Sequence, residues 1–136
     1  MKRSKNICVF KKAVLLGIII AFVFKVFSAP VEIGSVEELQ TILKQENKLL
    51  ILEMYADWCR ACRMLKPILA QALEEAEEEN VQLYRINIDR HRDIAAAFGV
   101  RSIPMVFFAM NGNLVHTMLG LDEKEEYLRV IRKFSH

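Results

Sequence analysis

The sequence predicts an α/β domain with a central mixed sheet and helices on both faces, and three observations carry that prediction. Residues 49–56 form an apolar run holding a single acid, Glu53, the pattern of a strand buried on both faces. Residues 81–89 set Leu83, Arg85 and Asn87 against Tyr84, Ile86 and Ile88, a second central strand. Asn111-Gly112, lying between apolar stretches at 105–109 and 114–119, is the strongest short signal for a hairpin turn.

The helices follow in order between these strands. Ser35-Val36-Glu37-Glu38 reads as a capping box ahead of Leu39, Ile42 and Leu43, which predicts a helix over 36–45. Over 59–78, Leu65, Ile68, Leu69, Ala72, Leu73 and Ala76 recur at helical spacing, and Pro67 predicts a kink because it removes one ladder donor. The acidic run Glu74, Glu75, Glu77, Glu78 and Glu79 reads as a solvated helix end. Residues 93–98 make a short Ala-rich helix that ends at Gly99 in the left-handed position after its last turn. Asp122 and Glu125 cap a final helix running to 134, with Tyr127, Leu128 and Ile131 turned inward.

At 136 residues and 53% hydrophobic content, the chain has the length of one domain with one core region. Five Gly and three Pro exclude a collagen-like or disordered polymer. The first 29 residues hold six of the 19 Lys and Arg and none of the 17 Asp and Glu, so residues 30–136 carry 13 basic against 17 acidic groups, a net of −4. The basic character belongs to the leader. A mildly acidic body argues against phosphate recognition, and no nucleic-acid partner is expected.

Within the leader, residues 13–24 are uncharged and flanked by Lys11, Lys12 and Lys25. As a helix they reach ~18 Å, short of a ~30 Å hydrocarbon core, and fit the apolar region of a signal peptide, with cleavage after Ser28 or Ala29. If Lys25 snorkels, the apolar stretch extends over 13–27 and becomes a short uncleaved anchor with its basic end in the cytoplasm. Either case divides the chain into a leader at 1–29 and a domain at 30–136 that lies outside the cytoplasm, in the periplasm. The bland alternative is an amphipathic extension that is never exported.

Cys8 lies in the leader, so the domain holds Cys59 and Cys62 alone. Three residues apart, they close too small a loop to act as a staple. A zinc site needs two further ligands, and only His91, His116 and His136 are available with no second Cys pair. Haem attachment needs His where Arg63 stands. A Cys-His hydrolase would leave Cys62 unexplained. Redox chemistry remains, and it calls for no metal and no cofactor.

The pair falls where a buried strand ends and a helix begins. Cys59, placed in the first helical turn, has unsatisfied backbone N–H groups and the positive helix end to favour a thiolate, with Arg60 and Arg63 adding charge. Cys62 is shielded inside the helix and within disulfide reach. Cys59 is therefore the expected nucleophile and Cys62 the resolving thiol: one opens a substrate disulfide, the other displaces the reduced product.

These residues resemble the thioredoxin family over about 31–136: Trp58-Cys59-x-x-Cys62, Pro67, Ile103-Pro104, Asn111-Gly112 and Gly120. The wording from Tyr55 to Cys62 is similar to the C-terminal periplasmic domain of the thiol:disulfide interchange protein DsbD. The resemblance implies a thioredoxin fold and a redox-active Cys59–Cys62 disulfide. It implies that Pro104 is cis beside the cysteines, where the adjacent backbone pairs with an extended substrate, so Trp58, Ile103, Pro104 and Met105 are the expected substrate-binding residues. It also implies a transmembrane electron donor of DsbD or CcdA type, and protein disulfide or dithiol substrates such as cytochrome c apoprotein.

The chain departs from thioredoxin in two places. Arg60-Ala61 replaces Gly-Pro between the cysteines. Glu53 stands where thioredoxin has a buried Asp, and is a candidate proton acceptor for Cys62; the competing reading is a strand acid paired with Arg85. Trp58 reads first as a lid that shields the sulfurs and packs the motif. Met54, Met64, Met105, Met110 and Met118 read as packing and not as copper ligands. The expected activity is protein-disulfide reduction. Its rivals are an oxidase that donates its disulfide and a non-catalytic module that binds extended peptides.

Overall fold

In a computed structural model, residues 30–136 are described; the signal or anchor expected at 1–29, and Cys8 with it, lie outside the described residues. The elements are β1 (Val31–Glu32), α1 (Val36–Leu43), β2 (Leu49–Tyr55), α2 (Arg60–Ala76), β3 (Val81–Asn87), α3 (Arg92–Ala97), β4 (Met105–Met110), β5 (Asn113–Leu119) and α4 (Lys124–Phe134). The strands form one sheet in the order β1-β3-β2-β4-β5. The pairs β1·β3 and β2·β3 are parallel, and β2·β4 and β4·β5 are antiparallel. This is the mixed sheet the sequence predicts.

Alternation along β2 divides the core. Leu49 and Ile51 pack with Leu65, Leu69 and Ala72 of α2 and with Tyr127 and Ile131 of α4. Leu50, Leu52 and Met54 face the other way, toward Leu39 and Ile42 of α1 and Ile94 of α3. Every residue of β2 is buried, which is why its sequence shows no polar alternation.

Several local expectations change. β1 was not expected; at two residues it is too short to show a period, and it is defined by its pairing to β3. The first helix stops at Leu43, two residues early. Ser35 accepts from the Glu38 N–H at 3.1 Å, but the Glu38 carboxylate reaches back to the Gly34 N–H at 2.7 Å, one residue beyond the capping-box donor. The second helix starts at Arg60, with Cys59 as its N-cap and not inside its first turn, and it ends at Ala76, two residues early, with Pro67 inside it. The cap expected from Asp122 and Glu125 does not form: Glu123 occupies the cap position without a side-chain bond, while Asp122 accepts from the Glu123 N–H at 2.8 Å.

The hairpin closes through Asn111 (φ 51°) and Gly112 (φ 76°), the two left-handed residues that a tight turn of this hand requires. Gly99 ends α3 at φ 66°, as its position predicts. Among the described residues no helix is long and apolar enough to cross a membrane.

Leu65 is fully buried where α2 meets the sheet. Leu65→Ala is expected to cost about 3 kcal/mol of unfolding free energy in urea; a loss below about 1 kcal/mol would mean that the interface is not packed as described.

Candidate active site

Parallel pairing brings the carboxyl ends of β2 and β3 together, with Tyr55 opposite Asn87. The two loops that leave these ends are tied to each other. The Ile88 N–H donates to the Tyr55 carbonyl at 2.9 Å, and Asn87 Nδ2 donates to Asp57 Oδ2 at 3.3 Å. Arg90 pairs with Asp57 at 3.6 Å, and Arg63 Nη1 donates to the Asp57 carbonyl at 2.9 Å. The turn that carries Trp58 and Cys59 is thereby held in place before the helix begins.

Cys59 and Cys62 form a disulfide with their Cα atoms 5.3 Å apart. Cys59 Sγ accepts from the Cys62 backbone N–H at 3.1 Å, so the sulfur does the work of an N-cap side chain. The same N–H and the positive end of the helix lie beside Cys59 Sγ, an arrangement that favours negative charge on a sulfur at this position. Both cysteines are buried, in a cluster with Tyr55 and Ala56 against which Ala61, Ile88 and Ile103 pack. Arg60 is exposed beside them.

The Ile103-Pro104 bond is cis. Pro104 is buried, and its carbonyl accepts from the Gly120 N–H at 2.8 Å, tying the segment to the end of β5. Met105 follows, half-buried and paired between Met54 and Leu119. Ile103 is thus brought to the cysteine cluster, with Pro104 and Met105 continuing along the sheet.

Trp58 is packed less than expected. The residue is 66% exposed, with Nε1–H donating to Asp89 Oδ2 at 2.9 Å. The indole is aimed by a polar tether and leaves an apolar face open; it is not packed into the motif. Asp89 carried no signal as its partner, since the two are brought together only by adjacent strand ends.

Glu53 is fully buried on β2. Its strand neighbour across the parallel register is Arg85, whose Nε donates to Oε2 at 2.7 Å and whose Nη2 meets Oε1 at 3.5 Å. The ion pair of Glu53 with Arg85 is therefore present. It does not neutralise the effect of burial: desolvation, the largest influence, pushes the Glu53 carboxyl above its ordinary value, with Arg85 opposing. Residues 51, 53 and 55 share a strand face, so Glu53 lies between the Ile51 core and the Tyr55 cluster that contains both cysteines. Glu32 and Tyr55 also touch Arg85, contacts for which the sequence carries no signal. Among the described residues no three His, Cys, Asp or Glu side chains converge as a metal site would require.

A family model described as Thioredoxin matches residues 30–133. The chain is 36% identical over 87 residues to a thioredoxin of Chlamydia caviae, covering 64% of this chain and 83% of that one. It is 34% identical over 92 residues to a thioredoxin of Rickettsia bellii, covering 68% and 86%. Among solved structures, thioredoxin NaTrxh of Nicotiana alata superposes with a TM-score of 0.69 at 28% identity, covering 78% of this chain and 92% of that one. A Malassezia sympodialis thioredoxin gives 0.71 at 24%, covering 80% and 93%, a likeness of fold.

The buried acid makes stability depend on pH. Because the folded state holds the Glu53 proton more tightly than the unfolded chain, its contribution falls as pH rises from about the unfolded value of 4.5 through the higher folded value. Urea midpoints of the oxidised protein are expected to fall with pH relative to Glu53→Gln; parallel curves would show that Glu53 is not so perturbed.

Proposed function

Since the chain belongs to the thioredoxin family, and so is a thiol:disulfide oxidoreductase, we propose that it works as a protein-disulfide reductase outside the cytoplasm. The observation that carries the chemistry is the Cys59–Cys62 bond at the N-terminus of α2, with a backbone N–H already directed at Cys59 Sγ. The Cys59 thiolate attacks one sulfur of a client disulfide and forms a mixed disulfide. Cys62 then gives its proton to Glu53 and attacks Cys59 Sγ; the Cys59–Cys62 bond forms, the client leaves as a dithiol, and two electrons have moved to it.

Ile103 before Pro104 supports the reducing direction, as the thioredoxin-like residue at that position. The client lies extended along Ile103, Pro104 and Met105 with the open face of Trp58 beside it. The location rests on the sequence of the leader: a basic start, an apolar run at 13–24 and small residues at 28 and 29. An oxidising compartment would re-oxidise such a protein, so a transmembrane donor of DsbD or CcdA type recharges it, and cytochrome c apoprotein or mispaired exported proteins are its clients.

In insulin reduction driven by dithiothreitol, Cys59→Ser is expected to abolish acceleration, while Cys62→Ser accumulates a mixed disulfide visible on a non-reducing gel. Undiminished turnover in either variant would defeat the mechanism, and a wild-type protein that accelerates nothing would be a peptide-binding module. For the location, protease added to spheroplasts is expected to digest the full chain and to spare a version lacking residues 1–29; equal protection of both would overturn the export reading.

A further inference from the structure

Arg85 is held by two carboxylates. Besides the bond to Glu53, its Nη1 lies 3.4 Å from Oε1 of Glu32, which sits opposite it on β1. Glu32 is itself gripped: the Tyr55 hydroxyl lies 2.7 and 2.8 Å from its two oxygens. The Tyr55 ring lies under the guanidinium, 3.7 Å from Arg85 Cζ to the ring centre, and belongs to the cluster around the cysteines. The Glu32 side chain is 50% exposed, the Arg85 side chain 11% and the Glu53 side chain not at all. One cation thus links a solvent-facing acid to a buried one.

Charge sharing of this kind has a definite sign. A Glu32 carboxylate repels a negative Glu53 and draws part of the Arg85 charge toward itself, so both effects make it harder for Glu53 to remain ionised. We propose that Glu32, clamped by Tyr55, is a positioning residue for the resolving half of thiol exchange, adjusting through Arg85 how readily Glu53 takes the proton of Cys62. This rests on Glu53 being the proton acceptor. The step balances: the Cys62 proton goes to the Glu53 carboxylate, the thiolate pair forms the Cys59–Cys62 bond, the bond from Cys59 to the client breaks, and Glu53 returns the proton to water.

The other groups facing Glu53 do not duplicate this control. Lys66 of α2 is exposed and favours the carboxylate from a distance. Tyr127 of α4, pushed up to about 12 mainly by burial, stays neutral, and so does Tyr55, raised by burial and by Glu32. Val106, opposite Glu53 on β4, carries no charge. Glu32 is the acid among them whose removal leaves Arg85 to Glu53 alone.

The test uses the reduced full chain mixed with less than one equivalent of the aromatic disulfide 5,5′-dithiobis(2-nitrobenzoate). The second release of thionitrobenzoate reports attack by Cys62, followed against pH. An acid limb is expected in the wild-type rate and is expected to vanish in Glu53→Gln. Glu32→Gln, nearly isosteric and half-exposed, and Tyr55→Phe, which lets Glu32 swing away, should both move the limb to lower pH, raising the rate on its rising part about threefold. Glu32→Asp, which keeps the charge, should stay nearer to wild type. A limb lost in Glu53→Gln but unmoved in Glu32→Gln would overturn the role of Glu32 alone. A limb that persists in Glu53→Gln would overturn the role of Glu53, and this proposal with it.

Discussion

A carboxylate in the middle of a fully buried strand is tolerable only with a cation beside it, since an uncompensated buried charge costs several kcal/mol. Arg85 supplies that cation from the directly opposite position on β3. The pairing constrains the whole sheet. Sliding β3 by one residue would turn Arg85 to the α1 and α3 face and leave Glu53 opposite an apolar side chain. The same register stops β2 and β3 side by side at Tyr55 and Asn87, and the loops from those two ends carry Trp58, Cys59 and Asp89. The position of the chemistry and the tolerance of the buried acid are two results of one alignment, at the carboxyl edge of parallel strands where such sheets hold their ligands.

In a two-electron couple, 30 mV corresponds to about 1.4 kcal/mol, so the interval between thioredoxin-like and strongly oxidising pairs, about 150 mV, amounts to about 7 kcal/mol. A helix terminus stabilises an adjacent anion by about 1 to 2 kcal/mol at most, and an exposed Arg by about 1 kcal/mol or less. Arg63 is already engaged with the Asp57 carbonyl, and Arg60 is exposed. An exposed Arg60 is therefore worth only a fraction of that interval. Burial of both sulfurs acts in the opposite sense, because a desolvated thiolate is costly.

Elements buried on both faces, or periodic over several turns, were legible. β2 announces itself because nothing polar except Glu53 can be accommodated in it, and α2 because its apolar stripe runs from Leu65 to Ala76. End chemistry was less so: a cysteine sulfur acting as N-cap moved the start of α2 to Arg60, and Asp122 satisfied a backbone N–H locally instead of capping α4. The site divides in the same way. Cys59 and Cys62 stand out by type and spacing and Pro104 through the resemblance to thioredoxins, whereas Glu32 lies in a two-residue strand whose partner is fifty-three positions away, and its meaning exists only in the register. Trp58 is recognisable, but its tether to Asp89 is a contact made by neighbouring loops.

The reduction potential of the Cys59–Cys62 pair, measured by equilibration against glutathione or dithiothreitol buffers, tests the central claim most directly. The account predicts a value near the about −270 mV of thioredoxin, low enough for a reductase recharged through a membrane; a value approaching about −120 mV would contradict it and make the protein a donor of disulfides.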